Sequence, residues 1–233
     1  MANSEIIEKE IIPKGKCYVI CLDLEGEGFL EVTNKLCKEA YTLGAEMIYY
    51  TCKDNDINMD FKEFETEDFT FELYTDMDIL SKCIERPNSA TEIELIGLSN
   101  DNRYEYMNYH NEAFFDVPNS MTIDDEEINL ILEDSAVEAG LLYLNDEVIG
   151  TYHLDFSEEN PEIASISINN HIQGKGYGIL ALNTLEEYLY YKGYKEVFLR
   201  VATLNENAYA LYKKSGYKYL NRFSRWFLVR KKI

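Results

Sequence analysis

Gln173 to Gly178 reads Gln-Gly-Lys-Gly-Tyr-Gly, with three glycines among five residues. An apolar, strand-like run, Ile163 to Ile168, precedes it, and a helix-like run, Ile179 to Lys192, follows. Glycines in a strand-to-helix turn let backbone approach a ligand with no Cβ in the way. The first N–H groups of a helix have no intrahelical partner, and the helix dipole favours anions there. The chemistry of such a turn is pyrophosphate binding. A plain tight turn also uses glycines, so the turn alone leaves both readings open. It is no P-loop, because no Lys-Ser or Lys-Thr follows the last glycine. It fits the dinucleotide fingerprint poorly, because one glycine pair is too close together.

The order Gln173, two residues, Gly176, one residue, Gly178 resembles the acetyl-CoA signature of the GNAT acyltransferases (Gln or Arg, two residues, Gly, one residue, Gly or Ala). Downstream, Asn205-Glu206-Asn207-Ala208-Tyr209-Ala210-Leu211-Tyr212 is followed by Lys213-Lys214-Ser215-Gly216-Tyr217. This resembles the second GNAT motif: Asn, two residues, Ala, two residues, Leu-Tyr, then a Gly-aromatic helix stop. Two motifs in order are far more specific than either alone. The resemblance covers roughly Glu92 to Ile233 and leaves the first ninety or so residues outside it.

The resemblance implies a site, residue by residue. Gln173, Gly174, Lys175, Gly176, Tyr177, Gly178 and Ile179 would hold the pyrophosphate of acetyl-CoA. Ile166, Ser167 and Ile168 would offer backbone groups to its pantetheine arm, as an added strand does. One N–H there would face the thioester oxygen as it becomes an oxyanion. Asn205 would contact the CoA arm, while an N-cap of its own helix is its local alternative. Tyr212 would be the general acid, protonating the departing thiolate, since an unperturbed phenol near ~10 is protonated at neutral pH. Its alternative is a core aromatic at helical spacing from Ala208. Glu162 stands eleven residues before Gln173, where several GNAT enzymes place a catalytic Glu, and is the candidate base. A solvated strand-end carboxylate beside Pro161 is the rival reading. The other family position for a base, on the strand before the Asn motif, is occupied by Arg200.

These residues need a frame. The implied fold is α/β (α+β): a mixed, mostly antiparallel sheet flanked by helices, with two central strands splayed around the acyl-CoA. Within 92–233 the patterns give a strand at Ile93 to Leu98 and helices at Asn102 to Phe115 and Asp124 to Glu133. A hairpin of Leu141 to Leu144 and Val148 to Phe156 crosses Asn145-Asp146. Strands follow at Pro161 to Asn169 and Glu196 to Val201, then the Asn205 helix and a closing strand pair near Tyr217 to Val229. Tyr106, Phe114 and Phe115 line an acceptor pocket or belong to the core.

Residues 1–91 form a smaller α/β segment, separated from 92–233 by Arg86-Pro87-Asn88-Ser89. Strands are expected at Cys17 to Leu22, Ala45 to Thr51 and Thr70 to Tyr74. A helix carries Phe29, Val32, Leu36, Ala40 and Leu43, Lys53 to Asp68 reads as an acidic loop, and Ile79 to Ile84 as a short helix. The order strand, Gly26/Gly28 turn, helix, Gly44 echoes the later unit, which suggests a degenerate half-copy. Chance similarity gives the same order. Glu25 and Glu27 in that turn would repel phosphate.

Composition narrows the partners. The chain of 233 residues carries a net charge of −21. Residues 1–91 contribute −11, residues 92–169 contribute −18 with one basic side chain, and residues 170–233 contribute +8. Nucleic acid is disfavoured, since phosphate binding needs broad positive potential. The acidic middle third favours a cationic acceptor, and the basic third holds the phosphate turn. The five cysteines, Cys17, Cys21, Cys37, Cys52 and Cys83, include no C-x-x-C and read as small buried hydrophobes in a reducing compartment. The three histidines show no ligand spacing, so no metal is expected. The opening MANSEIIEKE is not a signal peptide and no apolar run is long enough for a bilayer, so no membrane role and a cytoplasmic location are expected.

The function expected is N-acetyl transfer from acetyl-CoA directly to a primary amine: a cationic small molecule, polyamine, aminoglycoside or peptide amino terminus. Cysteine is absent after Cys83, which leaves no thiol nucleophile in the GNAT-like part. The competing class is a non-catalytic acyl-CoA-binding regulatory or interaction module.

Overall fold

The computed structural model describes residues 4–21, 28–53, 61–86, 92–115, 117, 120 and 122–233. In chain order its strands are β1 (Ser4–Ile7), β2 (Lys16–Cys21), β3 (Met47–Lys53), β4 (Glu63–Glu65), β5 (Phe69–Cys83), β6 (Glu94–Gly97), β7 (Val137–Leu144), β8 (Glu147–Asp155), β9 (Glu162–Ile168), β10 (Glu196–Ala202) and β11 (Lys218–Lys231). The helices are α1 (Ile11–Lys14), α2 (Phe29–Thr42), α3 (Arg103–Phe114), α4 (Asp125–Glu133), α5 (Tyr177–Tyr191) and α6 (Glu206–Lys214). No described helix is long and apolar enough to cross a membrane.

The chain divides into two compact units, neither continuous in sequence. One takes Met1–Ile79, Val201–Glu206 and Asn221–Ile233; the other takes Leu80–Arg200 and Asn207–Leu220.

In the first unit the strand order is β1-β2-β3-β11-β5, with β4 on β5. β2 and β3 run parallel and are joined by α2. Cys17, Val19, Ile48 and Tyr50 are fully buried, which is why these strands read as continuous apolar runs. Thr33, Cys37 and Ala40 recur at helical spacing and form the buried face of α2. Aromatic rings complete the core: Phe64 and Phe71 stack at 4.1 Å, and Phe227 meets Phe64 edge-on at 5.1 Å.

Three expectations need correction here. Lys53 to Asp68 is not all loop: Glu63–Glu65 pairs with β5. Ile79 to Ile84 is no helix but the end of β5 and the residue after it, since Asp78 and Leu80 are buried on alternate positions. Cys83 is exposed, whereas Cys17, Cys21 and Cys37 are buried. Gly26, Glu25, Glu27 and Pro87 to Ser89 lie outside the described residues.

In the second unit the end of β5 is followed by β10-β9-β8-β7-β6. All pairs from β9 to β6 are antiparallel, and β9 with β10 is parallel. Asn145 and Asp146, at φ 53° and 63°, make the two-residue turn between β7 and β8, where both positions require the left-handed region. Asp124 and Glu127 close a reciprocal capping box that starts α4. Tyr106, Ile123, Ile128, Ala139 and Leu141 bury together where α3 and α4 cover the sheet, so Tyr106 belongs to the core. The expected closing strand pair is a single strand of 14 residues, β11, which begins in this unit and ends in the first. No glycine or proline interrupts it, so nothing forces a turn.

Candidate functional site

β9 is held on one edge and open on the other. Against β8 it pairs from Asp155/Glu162 to Gly150/Ile168, with a register shift that leaves Ala164 as the extra residue. Against β10 it pairs only at Glu162/Phe198 and Ile163/Leu199. Past these two pairs the strands diverge, and the backbone edge of β9 from Ala164 to Ile168 is unpaired with β10. An exposed strand edge is a template for an extended chain bearing amides. Ser167 faces away from that edge. Its hydroxyl lies 2.8 Å from the Thr151 hydroxyl and accepts from the Thr151 N–H at 3.2 Å.

The glycine-rich turn continues directly from β9. A 3₁₀ turn, Asn170–Ile172, follows the strand. Gln173 then reaches back, its side-chain amide donating to the Ile168 carbonyl at 2.8 Å and to Asn170 Oδ1 at 3.0 Å. The three glycines have two different causes. Gly174 and Gly176 sit at φ 77° and 91° with open space around them, so their backbone angles require glycine. Gly178 has an ordinary φ, but a Cβ there would meet Leu211 Cδ1 at 2.9 Å. Gly176 is the N-cap of α5, whose first turn has no acidic residue. The first backbone bonds of the helix are Ile179 and Leu180 N–H to the Gly176 carbonyl, so the N–H groups of Tyr177 and Gly178 precede them. The helix thus starts two residues earlier than its apolar run suggests.

Gly178 brings the two motifs together, because Leu211 precedes Tyr212 on α6. The Tyr212 ring lies 5.8 Å from that of Tyr217, beyond the Gly216 stop, where φ is 93°. The Tyr217 N–H donates to the Tyr212 carbonyl at 3.0 Å. Burial pushes the Tyr212 phenol up to about 12, so it holds its proton across the physiological range. Burial also raises Tyr217, whose ring lies under Lys82 Nζ at 5.6 Å. Lys82 in turn pairs with Glu186 of α5 at 2.6 Å. Asn205 is exposed just before α6, its N–H donating to the Ala202 carbonyl at 2.9 Å.

Glu162 is not a solvated strand end. It is 7% exposed and pairs with Arg200 Nη2 at 3.3 Å. Burial raises its carboxyl above the ordinary range; Arg200 opposes that shift, and Asp155, directly opposite on β8, adds to it. His153, two residues earlier on β8, is held toward its neutral form by burial. Sequence reasoning placed Arg200 only as the residue occupying an alternative base position. Its partnership with Glu162 depends on the β9–β10 register, which no local spacing encodes. Lys175 is exposed on the turn, and Phe115 is exposed at the end of α3.

Residues 102–217, which include β9, the glycine turn, Asn205 and Tyr212, match the model of the acetyltransferase (GNAT) family. No curated protein matches the chain. Among solved structures it is similar to a GCN5-related N-acetyltransferase from Sphaerobacter thermophilus, at TM-score 0.65 and 13% identity over 98% of this chain and 76% of that one. A GCN5-related N-acetyltransferase from Kribbella flavida gives TM-score 0.56 at 10% identity, over 91% and 80% of the two chains. A functionally unknown conserved protein from Staphylococcus epidermidis gives 0.55 at 14%, over 93% and 85%. At such identities these likenesses are likenesses of fold, and the family match adds the chemistry: this chain belongs, through residues 102–217, to the GNAT acetyltransferases, and is an acyltransferase enzyme.

Proposed function

We propose that the enzyme transfers an acetyl group from acetyl-CoA directly to a primary amine on a cationic small molecule or a peptide amino terminus. The observation that carries this reading is the early end of β9–β10 pairing, next to a helix start with open N–H groups. In it, the pantetheine amides bond along Ile166, Ser167 and Ile168, and the pyrophosphate rests on the turn from Gln173 to Ile179. Asn205 contacts the CoA arm.

Glu162 takes a proton from the attacking ammonium, directly or through water. The amine nitrogen then adds to the thioester carbonyl, and a β9 backbone N–H beside the Ala164 bulge meets the oxyanion. Collapse of the tetrahedral adduct breaks the C–S bond, and the Tyr212 hydroxyl protonates the departing thiolate. The ammonium nitrogen gives up two protons in all. One leaves through Glu162 to solvent, and the second, lost from nitrogen as the amide forms, returns through water to the Tyr212 oxygen. The net products are amide, thiol and one released proton. The strongly acidic residues 92–169 favour a cationic acceptor.

Residues 1–91 we read as a degenerate half-copy of the same unit. Supporting this, β2 and β3 run parallel around α2 as β9 and β10 do around α5. Calorimetric titration with acetyl-CoA, followed by an amine screen that monitors thiol release, tests the proposal. Saturable binding with turnover of a cationic amine is expected; tight binding with no turnover of any amine would sink the acceptor assignment.

A further inference from the structure

The short segment that carries Asn205 is fastened by the Thr75 side chain and the Asp76 backbone, from the N-terminal part of the chain. Within the first unit the Thr203 N–H donates to the Asp76 carbonyl at 2.8 Å, and the Asp76 N–H returns to Thr203 Oγ1 at 3.2 Å. Thr75 Oγ1 lies 3.2 Å from Thr203 Oγ1 and accepts from the Leu204 N–H at 3.2 Å. Thr75 is 4% exposed and also donates to the Asp76 carbonyl at 3.1 Å. One proton assignment satisfies the whole cluster: Thr203 donates to Thr75, Thr75 donates to the Asp76 carbonyl, and both hydroxyls accept from backbone N–H groups.

Asp76 is itself locked. Arg225 Nε and Nη2 grip its two carboxylate oxygens at 2.6 and 2.9 Å, and Nη1 donates to the Phe61 carbonyl at 3.2 Å. Bidentate pairing fixes direction as well as distance. Arg225 is buried and set by its strand: it pairs with Cys52 of β3, and Thr51 donates to its carbonyl at 2.9 Å. The series β3, Arg225, Asp76 and Thr75, Thr203 and Leu204 ends one residue from Asn205.

We infer that Thr75, Asp76 and Arg225 are positioning residues for Asn205, so that residues of the N-terminal part set acetyl-CoA affinity although they carry no donor motif of their own. The inference rests on the reading of Asn205 as a contact to the CoA arm. A side chain that contacts a flexible ligand arm gains affinity only if its own backbone is already fixed. Thr203 and Leu204 are exposed, so burial does little to hold this segment, and hydrogen bonds must.

The test is acetyl-CoA calorimetry on the full chain, with kcat and KM measured beside it. Thr75→Val should weaken acetyl-CoA roughly three- to tenfold, the range of one or two net hydrogen bonds. Its kcat at saturating acetyl-CoA should change less than about twofold, and Thr75→Ser should restore affinity, because it keeps the hydroxyl. Combined with Asn205→Ala, Thr75→Val should add nothing, because it acts through Asn205. Asn34→Ala serves as the control. It removes bonds to Asp68 and Thr66 in the same unit, away from this segment, so it should lower Tm with unchanged affinity.

If Asn205→Ala weakens binding and Thr75→Val does not, the positioning role falls and the Asn205 contact stands. If Asn205→Ala is without effect, both fall. Equal weakening by Thr75→Val and Asn34→Ala would reduce the effect to general destabilisation and overturn the inference. Should Thr75→Val not fold, Arg225→Lys keeps the charge but loses the fork, and carries the same expectation.

Discussion

The Glu162 carboxylate and the Arg200 guanidinium lie 3.3 Å apart beside the two residue pairs that still join β9 to β10. The pair therefore sits at the apex from which the strands diverge. Burial pushes the carboxyl up and the arginine pulls it down, so the acid-base behaviour of Glu162 depends on a residue of the neighbouring strand.

Replacing that neighbour should move the pH profile. In Arg200→Gln the downward influence is gone, so Glu162 ionises at higher pH. A base must be ionised to act, so the acid limb of kcat/KM should shift to higher pH, with the plateau largely retained. Glu162→Gln should abolish that limb and reduce turnover on the order of a hundredfold or more. An acid limb that stays in place in both variants would remove Glu162 from the base role.

The same shift makes a stability prediction with a definite sign. The folded-state value of Glu162 is raised above its ordinary 4.5, so its contribution to stability is fully present below that value and is lost as pH rises through the folded value. Glu162→Gln has no charge to desolvate. Its stability relative to the parent should therefore improve as pH rises from 4.5 toward neutrality. Denaturant midpoints at a series of pH values check this, and parallel curves would contradict it.

Tyr212→Phe should separate chemistry from binding. Burial pushes this phenol up to about 12, so it stays protonated but is a weak acid in the free enzyme. It can donate only as the C–S bond breaks, when the leaving sulfur becomes basic. Turnover should fall about a hundredfold or more, with acetyl-CoA affinity within about twofold of the parent. An unchanged rate would leave Tyr212 as a core aromatic packed on Tyr217.

What could be read from sequence was local. Gly174 and Gly176 are visible because a left-handed backbone almost demands glycine, and Asn145-Asp146 is visible because a two-residue hairpin needs two such positions. The α2 stripe and the Asp124 start of α4 are likewise set by neighbours a few residues away. What escaped depended on partners far along the chain. Ile79 to Cys83 ends β5, and the Ile84 N–H that follows it donates to the Lys195 carbonyl, a bond no local pattern announces. The Glu162–Arg200 pair and the Thr203 anchorage depend on register, which residue types on a single strand do not specify. The 201–206 segment even belongs to a different compact unit from the residues on both sides of it.

Gly178 and Leu211 should be energetically coupled. A methyl on Gly178 meets the end of a leucine side chain, which can give way, rather than backbone. Gly178→Ala should cost roughly 1–3 kcal/mol as overpacking, and Leu211→Val should return part of that cost by withdrawing the contact. Gly176→Ala, where φ is 91° and nothing lies within 4 Å, should find no such rescue, because its strain is in the backbone. Additive costs for Gly178→Ala and Leu211→Val in a double-mutant cycle would show that α5 and α6 do not touch there.

Gly150 and Gly97 make an opposed pair that tests how closely β8 must approach β9. A Cβ on Gly150 would lie 1.9 Å from the Ser167 carbonyl oxygen, which is backbone and cannot swing aside. Gly150→Ala must therefore push β8 and β9 apart at the end of β9 that leads into the glycine turn. It would also loosen the Ser167–Thr151 hydroxyl contact of 2.8 Å. Stability should fall by about 3 kcal/mol or more, and acetyl-CoA affinity should fall with it, because the β9 edge and the turn move together. At Gly97 nothing lies within 4 Å and φ is not in the left-handed region, so Gly97→Ala should be neutral or stabilising by up to about 1 kcal/mol. Denaturant unfolding with acetyl-CoA calorimetry on both variants decides the matter. A Gly150→Ala protein that binds acetyl-CoA like the parent would mean that the strand edge at Ile166 to Ile168 does not hold the donor.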